Sequence, residues 1–445
     1  MVTTVSTQKN SADFSTQQPA GTPFGSVEVP VSRKTAKRKT AGNTGTRTRV
    51  GFVFSNDPDP MLIERMTALE ETGAFQTRAI YWHRGSDLSF PFSPGRLDPS
   101  RFAKVELRDP CAGPVVRVWL TLVFTCRLMV WIRRYNFEVL HVVYPNMLIA
   151  AFLATLGRRI EIVYDVWDAN YTARMSAWQR AVFKLLLSKT RLVFTTSPLF
   201  MDEFLLPNCV VRDDANIEYI SNAPYFVGRR SGHREGQRVA PGALVVGCVG
   251  NLRVPKQLQL LVDSVEDVRR TGRDVRIRFS GAGSNRQLAS RAALQHSFVE
   301  YTGAYDYFRD APSLYQQLDL VYAVYPAELF NYRVHIARRL HDAVLSATPI
   351  VVSRGTLMGE LVKTQEIGWQ IGDQAKEELV ALLTSLHDDR GPLRAASENA
   401  SRQQQYHSFS AFKESYVAAY KNLVCDSQSV AKQGVAAREK RAAAV

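Results

Sequence analysis

The sequence predicts an α/β protein built from two doubly wound, Rossmann-like halves. Short apolar runs of the buried parallel-strand type alternate with amphipathic helical stretches from residue 48 to residue 353. The alternation breaks once, at the polar, basic and Gly-rich stretch FVGRRSGHREGQRVAPG (226–242), and then restarts. At 445 residues the chain is also too long for one ordinary core.

The first half is expected over 48–224, after a basic, Ser/Thr-rich tail (1–47) of disordered composition. TRVGFVFS (48–55) reads as a strand ending in the polar loop NDPDP. MLIERMTALEETG reads as a helix closed by Gly73, and RAIYWHR (78–84) as the next strand. PVVRVWLTLVFTCRLMVWIRR (114–134) is helical and close to spanning length, but Arg117 and Arg127 interrupt it. Two readings stand. It is an internal helix of the first half, or it lies in a membrane interface with Trp119 and Trp131 as anchors and Arg133 and Arg134 toward headgroups. FEVLHVVY (137–144) is a strand, and PNMLIAAFLATLG (145–157) a helix opening on Pro. EIVYDVWD (161–168) is a strand with acids at its end, and WQRAVFKLLLSKT a basic amphipathic helix. RLVFTTS (191–197) is a strand, SPLFMDEFL (197–205) a Ser-capped helix, and EYISNAP (218–224) closes the half.

After the linker (225–242), the second half is expected over 243–400. ALVVGCVG (243–250) is a strand and QLQLLVDSVEDVRRTG a helix ended by Gly272. VRIRFSGAG (275–283) is a strand running into a Gly loop, and VEYTGAY (299–305) another strand. A helix forms around APSLYQQL, followed by the strands DLVYAVY (319–325) and PIVVS (349–353). The chain is helical after Asp373, with an aromatic amphipathic helix near 401–425 and a disordered tail at 426–445.

The formal charge of +14 favours partners that carry phosphate: nucleotides, nucleic acid or an anionic membrane surface. Nucleic acid ranks last, because the cations are not interleaved with aromatics on a recognisable module. The five cysteines lack CxxC spacing, and no His/Cys/Asp pattern suggests a metal, so no metal or cofactor is expected. An apolar leader is not apparent, which with the thiols points to a cytoplasmic protein, peripheral on the inner face of a membrane.

Ligands of such sheets bind outside the carboxyl ends of the strands. There the segment PAELFNYRVHIARRLHDAVLSATP (326–349) places Glu328, Asn331, the pair Arg338 and Arg339, and Asp342 on a loop entering a helix. Arg253 and Lys256 stand between a strand and a helix, where phosphate meets helix N-terminal amides and cations. Gly281 and Gly283 follow a strand and allow close approach of a ligand, or merely a tight turn. On the other side Asp168 is a candidate base or acceptor ligand, against the plainer role of a helix cap. Asn56 and Asp57 lie in the first strand-to-helix loop, where turn chemistry is the alternative. His141, inside an apolar strand, reads as a packed core residue.

These residues resemble family 4 of the GT-B glycosyltransferases, over roughly 48–425. GNLRVPK supplies Gly250, Lys256 and a displaced Arg253. NYRVHIARRLHDA supplies Asn331, Arg339 for the usual Lys, Leu340, Asp342 for the usual Glu, and Ala343. SATPIVVS keeps Pro349, and ISNAP resembles the family's exit between domains. The resemblance implies two Rossmann-like domains facing a cleft and a C-terminal helix crossing back. It also implies retaining transfer of a sugar from a nucleotide diphosphate sugar to an acceptor hydroxyl, and the basic, aromatic first half, suited to an anionic inner leaflet, points to a lipid-linked saccharide as acceptor. Arg253, Lys256 and Arg339 would meet the diphosphate, Asp342 the ribose and Glu328 the sugar. The family's second acidic pairing and its acceptor-side histidine are not matched. A non-catalytic scaffold and a nucleotide-sugar epimerase on the same fold therefore stay open.

Overall fold

The computed structural model describes residues 47–84, 92–108, 113–168, 176–205, 216–225 and 242–442. The expected N-terminal tail and the linker fall almost wholly outside the described residues.

The first half forms a sheet of seven parallel strands. These are β1 (Thr48–Phe54), β2 (Phe75–His83), β3 (Phe102–Glu106), β4 (Val139–Val143), β5 (Glu161–Val166), β6 (Leu192–Thr195) and β7 (Asn216–Tyr219). Their order is β3-β2-β1-β4-β5-β6-β7, so the winding reverses between β1 and β4. The helices are α1 (Pro60–Glu70), α2 (Pro114–Tyr135), α3 (Pro145–Ala154) and α4 (Ala177–Leu187). Right-handed crossovers put α2, α3 and α4 on one face and α1 on the other. In keeping with this, α2 packs on α3 and α3 on α4. α1 starts where Asp59 caps it, its carboxylate accepting from the Leu62 amide at 3.0 Å. The helix expected at 197–205 forms, with its Phe200–Leu205 part wound as a π-helix.

The second half forms a six-stranded parallel sheet in the order β10-β9-β8-β11-β12-β13. Its strands are β8 (Leu244–Val249), β9 (Val275–Ser280), β10 (Val299–Tyr301), β11 (Leu320–Ala323), β12 (Ile350–Ser353) and β13 (Gly368–Ile371). Here the reversal falls between β8 and β11. The helices are α5 (Pro255–Arg270), α6 (Arg286–Gln295), α7 (Tyr307–Gln316), α8 (Phe330–Val334), α9 (Arg338–Leu345), α10 (Leu357–Gln365), α11 (Lys376–Asp388) and α12 (Gly391–Gln403). Each half has its own apolar core. One segment trespasses: Val334 is buried in the first core and Phe330 packs against it, so α8 of the second half docks on the first.

The last helix, α13 (Ser410–Ala442), crosses back as expected: Ser427 donates to Glu161 of β5 at 2.8 Å. It does not stop at 425. The tail expected from 426 continues the helix, because Ala, Glu, Lys and Arg in AAREKRA are strong helix formers. Its tyrosines anchor a buried network. Tyr420 Oη lies 2.6 Å from His141 Nδ1, and His141 Nε2 lies 3.1 Å from Asp165. Asp165 in turn faces Arg65 of α1 at 2.9 Å, and Arg65 donates to the Ile220 carbonyl at 3.1 Å. His141 is thus a core residue, as its setting in an apolar strand suggested.

Candidate functional site

Both switch points place their strand exits at one junction between the halves. Glu64 of α1 takes the Arg338 guanidinium on both oxygens, at 2.8 and 2.7 Å. Ser197 donates to the Val334 carbonyl, and Asp168 is close enough to Tyr332 to act on its hydroxyl electrostatically. The first-domain lip is aromatic: Phe54, Tyr144 and Trp167 pack together at the exits of β1, β4 and β5. Tyr144 sits at φ 73° and ψ 145°, a strained backbone for a bulky residue, of the kind that clusters at functional sites.

In the second half two helix N-termini open at the β8/β11 switch point. α5 begins after Val254 and α9 after Ala337, and neither has a side-chain cap. The amides of Arg338 and Arg339 in α9, and of Lys256 and Gln257 in α5, whose first residue Pro255 has no N–H, are therefore available to an anion. Arg253 and Lys256 stand exposed beside the first and make no ion pair with any described residue. Arg338 heads the second, 4.4 Å over the Tyr307 ring, with its Nε and Nη1 lacking a hydrogen-bond acceptor among the described residues. These orphan donors are the strongest local sign of a missing anionic partner. Burial pushes the Glu64 carboxyl up to about 7, against the pull of Arg338 and the Tyr225 amide.

Several expected ligands are otherwise engaged. Arg339 is buried and gives Nε to the Val249 carbonyl, Nη1 to Tyr322 at 3.2 Å and Nη2 to Asn251 at 3.4 Å. It braces the exits of β8 and β11 and has little left for a diphosphate. Asp342 is 6 % exposed and accepts from the Tyr307 hydroxyl at 2.5 Å and the Tyr315 hydroxyl at 3.4 Å. It holds the underside of α9 rather than facing a ribose. Asn331 is buried on α8, at the contact with the first half. Glu328 is exposed on the turn between β11 and α8, and Asp168 half-buried at the β5 exit. Asn56 is exposed, while Asp57 is tied to His83 at 2.7 Å.

The glycines serve loop packing. Gly281 has φ +147°, and a Cβ there would lie 1.9 Å from the Gly250 carbonyl oxygen; one at Gly283 would lie 2.4 Å from Asn251 Oδ1. The β8 and β9 exit loops thus lie directly on one another, and it is this contact, not a ligand, that excludes side chains. Gly281→Ala is expected to lower stability by about 2 kcal/mol or more, read as a drop in melting temperature. Glu64, Arg338, Tyr307 and the stacked pair Tyr325 and Tyr332 (5.1 Å, 3°) complete the junction and were not singled out by sequence, Arg338 excepted. A surface groove near Arg354, Lys363 and Trp369 lies at the β12–β13 edge, away from it.

Residues 243–389 match the family model Glycosyl transferases group 1. No curated protein matches the sequence as a relative. Among solved structures, sucrose-phosphate synthase from Thermosynechococcus elongatus aligns with a TM-score of 0.63 at 14% identity, over 85% of this chain and 100% of that one. HepE from Anabaena, solved with UDP and glucose, aligns at 0.61 and 14% identity, over 84% and 100%. WaaG, a glycosyltransferase involved in lipopolysaccharide biosynthesis, aligns at 0.60 and 13% identity, over 83% and 98%. The fold is therefore GT-B, and residues 243–389 are similar to the group 1 glycosyltransferases.

Proposed function

We propose that the protein transfers a hexosyl group from a nucleotide diphosphate sugar to a hydroxyl of a lipid-linked saccharide, in the synthesis of a cell-surface polysaccharide. The observation that carries the donor half is the pair of uncapped helix N-termini at the β8/β11 switch point, with Arg253, Lys256 and Arg338 around them. As the bond from the sugar C1 to the diphosphate breaks, the electron pair leaves with the phosphate, the acceptor oxygen bonds to C1, and the proton of the acceptor hydroxyl passes to the released diphosphate. Charge growing on the leaving oxygens is met by fixed amides and cations of the chain itself, so the reading needs no metal. Glu328 on its exposed turn would meet the sugar, and Asp168 would orient the acceptor hydroxyl. By the family resemblance the anomeric configuration is kept. UDP and glucose in the HepE complex favour a UDP-sugar, and WaaG's pathway favours a lipid-linked acceptor at the inner face of the cytoplasmic membrane.

Calorimetric titration with UDP, GDP and ADP tests this. UDP is expected to bind most tightly. Loss of one charge-assisted contact is worth about 1.5–3 kcal/mol, so Lys256→Ala and Arg338→Ala should each weaken UDP at least about tenfold. Absence of binding by all three nucleotides would sink the transferase reading. The engagement of Arg339 and Asp342 within the fold favours one alternative, a non-catalytic scaffold. It would show no turnover with any UDP-sugar, and Lys256→Ala, on an exposed residue, would leave its biological role intact.

A further inference from the structure

We propose that the outer face of α2, α3 and α4 is a docking surface for an anionic lipid bilayer. The first observation is that α2 is apolar on two opposite sides. Phe124, Leu128, Trp131 and Ile132 are between 0% and 6% exposed and belong to the first core. On the far side Val115, Trp119, Leu122, Cys126 and Val130 recur at three- and four-residue spacing and face outward. Trp119 is 64% exposed and Val130 62%. Beyond α3, which packs on both, α4 repeats the pattern with Trp178 (67%), Val182 and Leu185 (56%), and the α3 region between them adds Ile149 and Leu156. Scattered apolar residues on a surface mean little, but stripes on α2 and α4 with Ile149 and Leu156 exposed on the stretch between them form a patch.

Charge selects the occupant. α2, α3 and α4 contain no Asp or Glu, whereas Arg117, Arg127, Arg133, Arg134, Arg180 and Lys184 are exposed beside the apolar stripes. An apolar strip on helices that carry cations and no acids, with two outward tryptophans, complements an anionic membrane surface. A second copy of this basic face would meet it with like charge.

The helix lies on the bilayer and does not cross it. Its most apolar window has a mean hydropathy of 1.8, enough for a span, yet its inner side is already built into the sheet core. Trp131, an anchor in the sequence reading, is 6% exposed and packs on Phe137 at 4.3 Å. The anchors are Trp119 and Trp178. The inference rests on the lipid-linked acceptor only for its purpose, since a docked first domain would hold the cleft near such a substrate.

Flotation of the full chain with phosphatidylcholine vesicles, with and without phosphatidylglycerol, tests it. Binding is expected only with the anionic lipid and should weaken as salt rises. Trp119→Ser combined with Trp178→Ser should reduce partitioning at least about tenfold while UDP affinity stays unchanged. Since the double variant bears only on exposed side chains, a wild-type readout is added: acyl-chain-brominated lipid should quench part of the tryptophan emission. No anionic-vesicle binding, binding unaffected by the double variant, or a wild-type dimer that the variant dissociates would each overturn the proposal. UDP binding measured on the same samples separates that failure from failure of the transferase reading.

Discussion

Asp165→Ala is expected to destabilise the first domain by about 3–5 kcal/mol, because it strands a buried guanidinium. Arg65 and Asp165 both have side chains at 0% exposure, 2.9 Å apart. Burial pushes the Asp165 carboxyl up, but Arg65 and His141 together pull it below the usual carboxylate range. It is therefore charged in the fold and neutralises Arg65. Arg65 also lies 5.5 Å from the Tyr416 ring of α13, so its displacement would unseat the crossing helix. The loss should appear as a lower denaturant midpoint and as faster amide exchange along α13. Replacing both charges by apolar residues of similar size, Arg65→Met with Asp165→Leu, should recover most of it. A cost under about 1 kcal/mol for Asp165→Ala would show that the pair does not hold the helix.

Where apolar residues run unbroken, the fold was legible. β4, β8 and β11 are buried on both faces, and their sequences (VLHVV, LVVGCV, LVYA) are mostly Val and Leu. The elements that escaped are β3, β13, α6 and α10. β3 (FAKVE) is an edge strand whose residues are all half-buried or exposed, and β13 has four residues, of which only Ile371 is buried. Such strands carry too little pattern to read.

The site was legible in place but not in detail. Arg338 and Arg339 are neighbours on one helix, about 100° apart around its axis, and sequence does not say which faces the cleft. Packing decides: Arg339 turns to the carbonyls of β8 and β11, and Arg338 to Glu64, 274 positions away. No local signal marks Glu64, which sits within a buried helix face. Asp342 looked like a ligand because it is charged. Only the tertiary positions of Tyr307 and Tyr315 reveal that it already has partners.

Acidification from pH 7 to pH 4 is expected to loosen the junction between the halves by at least about 3 kcal/mol. Ser221, His341, His407 and Gln365 form a buried chain there, with contacts of 2.9, 3.0 and 3.0 Å. The chain is consistent with two neutral imidazoles: Nε2–H of His407 donates to Gln365, Nδ1–H of His341 to His407, and Ser221 to His341. A second proton on His407 would set two N–H groups against each other. Burial pushes His407 down to about 4, and burial with nearby Arg253 does the same to His335. His341 is lowered well below its usual value by burial, then by His407, Arg338 and His335. Below pH 6.5 the opened chain takes up protons that the closed one refuses until about 4. The stability is therefore fully present above pH 6.5 and lost on the way down, at about 3 kcal/mol each for His335 and His407. Glu64 opposes them. Raised to about 7, it contributes stability below its unfolded value, and that contribution disappears as pH rises through 7, again worth about 3 kcal/mol. Two histidines with His341 on their side outweigh one glutamate, so acid opens the junction. Small-angle scattering should show the radius of gyration rising between pH 6 and pH 4, with UDP affinity falling in parallel. His407→Gln, which can still bridge His341 and Gln365, should flatten that limb. An unchanged radius down to pH 4.5, or an unaltered acid limb in His407→Gln, would place the pH sensitivity elsewhere in the molecule.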